Sequence, residues 1–128
     1  MSIWLKAMLV AGGGALGALS RWGVAEAAFR FAGSAPLGTF IANLLGCLLI
    51  GMAKAAVDAL GWGSPELRLF GFTGFLGAFT TFSTFEADVF GLWRVDERGW
   101  AVAYMFGSVA GGFAMFLVGW WLVQKFAQ

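Results

Sequence analysis

Histidine is absent from this 128-residue sequence, and cysteine occurs once, at Cys47. Without histidine there is no Ser-His-Asp or Cys-His catalysis and no histidine metal site. A single cysteine forms neither an intrachain disulfide nor a thiolate cluster. Charge is also scarce. Asp, Glu, Lys and Arg make up 12% of the residues, about half the share in ordinary soluble domains. The net charge of +1 leaves no basic face for nucleic acid. The one carboxylate cluster, Glu86 with Asp88, lacks a partner base or a metal-ligand set, so an enzyme is not expected. What the chain does contain is apolar: 60% hydrophobic residues, with 14 phenylalanines, 7 tryptophans and 20 glycines. A soluble chain of this size could not hide so many large apolar side chains without a more polar surface. These counts imply a small integral membrane protein.

The spacing of the charges agrees. The long uncharged runs are 7–20, 31–53, 69–85 and 99–124. A membrane-spanning helix needs about 20 apolar residues, with a range of roughly 17–25. The second and fourth runs span comfortably. The first is short unless Arg21 lies against protein or snorkels to the interface. The third is marginal and continues through Glu86 and Asp88 to Trp93. Four crossings use nearly the whole chain, so residues 1–128 are expected to form one transmembrane domain. The first run follows Lys6 and is Gly-rich, with no clear cleavage motif after it, so it reads as a mature helix and not a signal peptide. Loops are expected near 30–36, 58–66 and 94–99, with Pro36 and Pro65 suited to helix starts. The tryptophans fall mostly near run ends, as in an interfacial aromatic belt.

Four crossings place Lys6, Lys54, Arg68 and Lys125 on one side of the membrane, and Arg21, Arg30, Arg94 and Arg98 on the other. This balance gives the positive-inside rule almost nothing to act on. It leaves two readings open: insertion in both directions with antiparallel dimers, or a single orientation set by a local bias. The small size also argues for oligomers. Small residues four apart mark close helix contact: Gly13 and Gly17, Cys47 and Gly51, Gly107 and Gly111, Ser108 and Gly112.

Polar groups inside the runs are few and clustered. Thr39 and Asn43 are four apart and share one helix face. A buried Asn needs partners, either as an interhelical hydrogen bond or as a pore-lining amide that meets an anion. Residues 73–86 gather glycines and hydroxyls at mid-membrane: Gly74, Gly77, Thr80, Thr81, Ser83 and Thr84 all weaken a continuous helix. Broken helix at membrane depth is tolerated where it is buried in protein or lines a cavity, and it frees backbone groups to coordinate ions. Phe79, Phe82 and Phe85 recur every third residue and would lie along one helix face. They suit either packing on a neighbour or ring edges turned toward an anion, since an aromatic edge is positive. Tyr104 and Ser108 add donors on one face of the last helix, and no Lys or Arg sits centrally in these runs. An anion path here would use neutral donors, which suit weak binding and fast exit.

These residues resemble the small fluoride channels of the Fluc or CrcB family. The strongest match is Gly74-Phe75-Leu76-Gly77 through Thr80-Thr81-Phe82-Ser83-Thr84-Phe85; the second is Gly38-Thr39 followed by Asn43, Gly46 and Gly51. Gly17 through Arg21-Trp22, with Tyr104 and Ser108, add weaker support. The resemblance implies an all-α membrane fold of four transmembrane helices per subunit, the third broken, assembled as an antiparallel dual-topology homodimer in a bacterial inner membrane. It implies passive export of cytoplasmic fluoride, which protects against fluoride toxicity. Two parallel pathways per dimer would be lined by Asn43, Phe82 and Phe85, with Thr39, Ser83, Thr84, Tyr104 and Ser108 as a polar track. It also implies a structural sodium ion at the dimer centre, held by the backbone carbonyls of Gly77 and Thr80; oxygen ligands suit a hard cation. One position departs: Glu86 stands where the family commonly has serine, with Asp88 as the acid two residues later. Glu86 could point to solvent or pair with Arg21 or with another subunit's arginine. Two rival readings remain at this point. A proton-coupled drug exporter needs a mid-membrane carboxylate, for which Glu86 is a substitute. A noncatalytic assembly subunit would use only the glycine faces.

Overall fold

The computed structural model describes residues 1–127 as an all-helical chain. Helix α1 runs Ile3–Ala32, α2 Ala35–Leu60 and α6 Arg98–Phe126. These are the helices long and apolar enough to cross a membrane. Between α2 and α6 lies a fourth, interrupted helical stretch, the fourth crossing that the sequence leads one to expect, made of shorter pieces: α3 (Pro65–Arg68), a π-helical segment (Leu69–Leu76), α4 (Gly77–Phe79) and α5 (Phe82–Arg94).

Local chemistry sets the boundaries. Ser2, Ser34 and Ser64 each accept a hydrogen bond from the amide three residues on, at 3.2 to 3.3 Å. This satisfies one of the orphan donors at each helix start. Gly33 and Gly61 end α1 and α2 at φ of 64° and 62°, the left-handed conformation that glycine adopts without a Cβ penalty. The connections fall at 33–34, 61–64 and 95–97, inside the three expected loops.

No large side chain is fully buried among the described residues. The interior is built mostly from small residues, with Leu76, Phe79 and Phe85 the large ones among them: Ala42, Ala55 and Ala101 are essentially inaccessible, and glycines mediate the helix contacts. A Cβ on Gly17 would come within 2.9 Å of the Phe75 carbonyl carbon, and one on Gly13 equally close to the Phe75 amide nitrogen. A Cβ on Gly51 would meet the Phe116 backbone, and one on Gly119 the amide of Met52. Thus α1 lies against the π-helical segment and α2 against α6, in both cases through glycine. Of the small-residue pairs read as close helix contacts, Gly13, Gly17, Gly51 and Gly112 make such contacts within one chain, while Gly107 has nothing within 4 Å. Helix packing in lipid relies on such close approach, because lipid tails are as apolar as the side chains they would displace.

The large apolar side chains face outward instead; Trp4, Phe31 and Phe126 are each more than three-quarters exposed. At the helix ends, Lys54 lies over the Trp120 ring, Lys125 over Trp121 and Arg98 over Trp93, at 5.1 to 5.7 Å. Such pairs suit a membrane interface, where one end of the side chain is apolar and the other wet.

Candidate functional site

The fourth crossing is interrupted at Thr80 and Thr81, whose backbone is extended (φ, ψ of −85°, 156° and −152°, 124°). This is the stretch where glycines and β-branched threonines weaken a helix. In a continuous helix the Thr81 amide would bond the Gly77 carbonyl. Here it donates to Asn43 Oδ1 at 2.8 Å, and Asn43 Nδ2 donates back to the Thr81 carbonyl at 3.0 Å. The Thr84 amide, which would bond the Thr80 carbonyl, donates to Thr81 Oγ1 at 3.3 Å and so caps α5. The Thr81 hydroxyl in turn donates to Thr84 Oγ1 at 3.1 Å. The Ala78 carbonyl accepts from Arg21 Nε at 3.0 Å. The break is therefore bracketed by α2 through Asn43 and by α1 through Arg21.

Beside the break lies a cavity of about 450 Å³. Asn43, Phe82, Phe85 and Ser108 line it together with Gly77, Thr80 and Thr81. Ser108 Oγ is buried and has no hydrogen-bond partner among the described residues. Buried hydroxyls are normally paired, so this one stands out. Thr39, Ser83, Thr84 and Tyr104 lie outside this cavity. Thr39 is buried on α2 and Ser83 is exposed. Tyr104 lines a second cavity of about 360 Å³, with Phe40 and Trp100. Its hydroxyl donates to Asp88 Oδ2 at 3.2 Å.

The aromatic residues divide at the break. Phe79 is buried and stacks on Phe75, with centroids 5.6 Å apart. Phe82 is 74% exposed and tilts against Phe85 at 5.9 Å; Phe85 contacts Tyr104 at 5.4 Å, which meets Phe40 at 6.2 Å. The expectation of one face carrying Phe79, Phe82 and Phe85 is therefore corrected: it presumed a continuous helix, and the extended residues at 80 and 81 re-aim the second and third rings. Glu86 is exposed and pairs with no cation among the described residues. Its suggested partner, Arg21, is turned to Ala78. Glu26, near the end of α1, pairs with Arg30 at 2.9 Å.

Two contributors were not singled out as site residues from sequence: Arg21, read as a cation lying against protein or snorkelling and as a possible partner of Glu86, and Thr81, read as a helix breaker within the family match. The signal for Arg21 was its cost, because a cation inside an otherwise apolar run needs a partner. Among the described residues no group of His, Cys, Asp and Glu could hold a metal. A cation here would have to use backbone or hydroxyl oxygens, and the carbonyls of Gly77 and Thr80 are among those whose helical donors have gone elsewhere.

Long apolar helices, an apolar exterior and a polar break in one span define a multi-pass membrane protein. Its sequence from 8 to 120 matches the family described as "CrcB-like protein, Camphor Resistance (CrcB)", and the chain belongs to that family. A protein of Desulfotalea psychrophila named "Fluoride-specific ion channel FluC" is 43% identical over 117 residues, 91% of each chain. One of the same name from Methylobacillus flagellatus is 38% identical over 125 residues, covering 96% of this chain and 98% of its own. A third, from Chromohalobacter salexigens, is 43% identical over 113 residues, 88% and 86% of the two chains. The relatives carry the name of an ion channel, not of an enzyme.

Proposed function

We propose that this chain forms a fluoride-selective channel that lets cytoplasmic fluoride leave a bacterial cell passively across the inner membrane. The observation that carries this reading is the helix break. It sets an amide, hydroxyls and two phenylalanine rings around one cavity, in a chain similar over nearly its whole length to proteins named for fluoride conduction. Hydrogen fluoride crosses membranes from weakly acidic surroundings and dissociates in a neutral cytoplasm. The membrane potential then drives the trapped anion out through a selective pore, which protects against fluoride toxicity. Fluoride surrenders strong hydration on entering such a pore. Asn43 and Ser108, with the Phe82 and Phe85 edges, would replace it. Thr39, Ser83, Thr84 and Tyr104 would extend the polar track.

The working unit is an antiparallel dual-topology homodimer. Balanced cation counts and the 74% exposure of Phe82 support it, since a pore wall cannot be left facing lipid. Sodium at the dimer centre would be held by the Gly77 and Thr80 carbonyls of both copies, and would supply a charge that satisfies carbonyls freed by the break. The test is a fluoride electrode outside fluoride-loaded liposomes. Fluoride release on adding a potassium ionophore, with chloride release far slower, is the expected result. No fluoride release from reconstituted protein, or equal chloride release, overturns the channel.

A further inference from the structure

Among the contacts that no role above requires, the one between α1 and the end of α4 stands out. Gly13, Gly17 and Arg21 are spaced four apart and share one face of α1. The two glycines let the backbone between Phe70 and Phe75 approach α1 directly, and Gly74 completes the contact from the other side, its missing Cβ 3.0 Å from the Gly13 Cα. One turn further along the same face, where the fourth crossing reaches Ala78, glycine gives way to arginine. Arg21 Nε donates to the Ala78 carbonyl at 3.0 Å. That carbonyl lies at the C-terminal end of a helical stretch that stops at Phe79. The helical donor for it, the Phe82 amide, lies beyond the break. The last carbonyls of a helix carry partial negative charge and lack intrahelical partners, so a cation there is favourable. Among the described residues Arg21 is partly buried and meets no carboxylate within ion-pair distance. A partly buried cation without a carboxylate partner is costly in an apolar run, and plain packing at this position needs only an apolar chain.

We propose that Arg21 is a positioning residue: through the Ala78 carbonyl it fixes the helix break around which the pore donors are arranged. Asn43 holds the break from the α2 side by both backbone groups of Thr81. Arg21 holds it from the α1 side, three residues earlier. With both clamps in place the chain between Ala78 and Thr81 has fixed ends, and the directions of Phe82 and Phe85 follow. Without Arg21 the end of α4 frays, and Thr80, Thr81 and Phe82 lose their register against α2.

Hydrogen exchange on the full-length reconstituted protein tests this, alongside fluoride throughput, which rests on the channel reading above. In Arg21→Met, backbone exchange over residues 77–84 is expected to rise about tenfold, the factor that one ordinary hydrogen bond represents. Exchange in α2 and α6 stays as in the wild type, and fluoride throughput per incorporated channel falls by about the same factor. Arg21→Lys keeps a donor and the charge, and it restores both protection and throughput. Unchanged exchange over 77–84 in Arg21→Met overturns the proposal, as does uniform loosening of all four crossings, which marks a general packing role. The exchange measurement does not depend on which ion is carried. Wild-type protein that conducts no fluoride removes the channel reading and leaves this comparison intact.

Discussion

Asn43 and Phe82 both line the cavity, but their environments predict different failures. Asn43 satisfies the amide and the carbonyl of Thr81 at once. Its replacement by alanine leaves two backbone groups without partners inside the bundle, at about 1–3 kcal/mol each where water cannot reach. Asn43→Ala is therefore expected to reduce fluoride throughput and also to lower the thermal unfolding temperature of the purified protein. Phe82 is largely exposed on its own chain and supports little within it. Phe82→Ile should reduce throughput by a similar factor with the monomer's contribution to stability unchanged. Throughput in a liposome assay, set beside unfolding followed in detergent, separates the two. If Asn43→Ala unfolds like the wild type, the bracket drawn here is absent from the working protein. Which residue holds the break was not legible in sequence. Thr39 and Asn43 announced a polar face, but the amide's partner lies 38 residues away, and nothing in local spacing reports such a contact.

At the scale of elements, the interrupted fourth crossing and the glycine seam depend on each other. The run 69–85 is barely long enough to span, and its glycines and threonines weaken it further. It persists because α1 presents glycine where it must approach. An added Cβ on Gly17 would crowd the Phe75 backbone, which cannot rotate aside as a side chain would. Gly17→Val is expected to cost about 1–3 kcal/mol through overpacking, read as a lower unfolding temperature with loss of throughput. Gly107 has open space within its chain, so Gly107→Ala should leave unfolding of the dissociated subunit unchanged or slightly raised, alanine being the better helix former. The cap of α5 is a separate lever. Thr81→Ala removes the hydroxyl that accepts from the Thr84 amide, a loss of about 1 kcal/mol, and Thr81→Ser should recover it. The three long helices were legible because the uncharged apolar runs 7–20, 31–53 and 99–124 marked them. The site of the break was legible from composition. The fate of Phe79, Phe82 and Phe85 was not, because periodicity counts residues along a helix and the break resets that count.

At the scale of the whole molecule, the unanswered surface is the one that carries Phe82. In one chain it stands open beside the cavity, together with Asn43 and Ser108. A cavity open to hydrocarbon would leave its few polar groups, Ser108 Oγ among them, without water or protein to bond them. The surface must be covered by something that is apolar where Phe82 projects and offers partners to the cavity's few polar groups. A second copy of the same face meets that demand, because self-complementary pairing repeats every contact about a two-fold axis. The direction of that axis follows from charge. Lys6, Lys54, Arg68 and Lys125 on one side offset Arg21, Arg30, Arg94 and Arg98 on the other. Since Arg21 is spent on Ala78 within the bundle, the bias that remains is a single cation, too little to impose one orientation. Both orientations should therefore coexist in one membrane and pair antiparallel. A cysteine tag placed after Gln128, in a variant carrying Cys47→Ala, makes this visible. An impermeant thiol reagent added outside intact cells should label part of the protein, and permeabilisation should label the rest. Adding two lysines to the loop at 61–64 should shift the labelling toward one face and, by removing half of each pair, abolish throughput. Labelling from one face alone in the unmodified background would mean a single orientation, with the exposed face then paired in parallel.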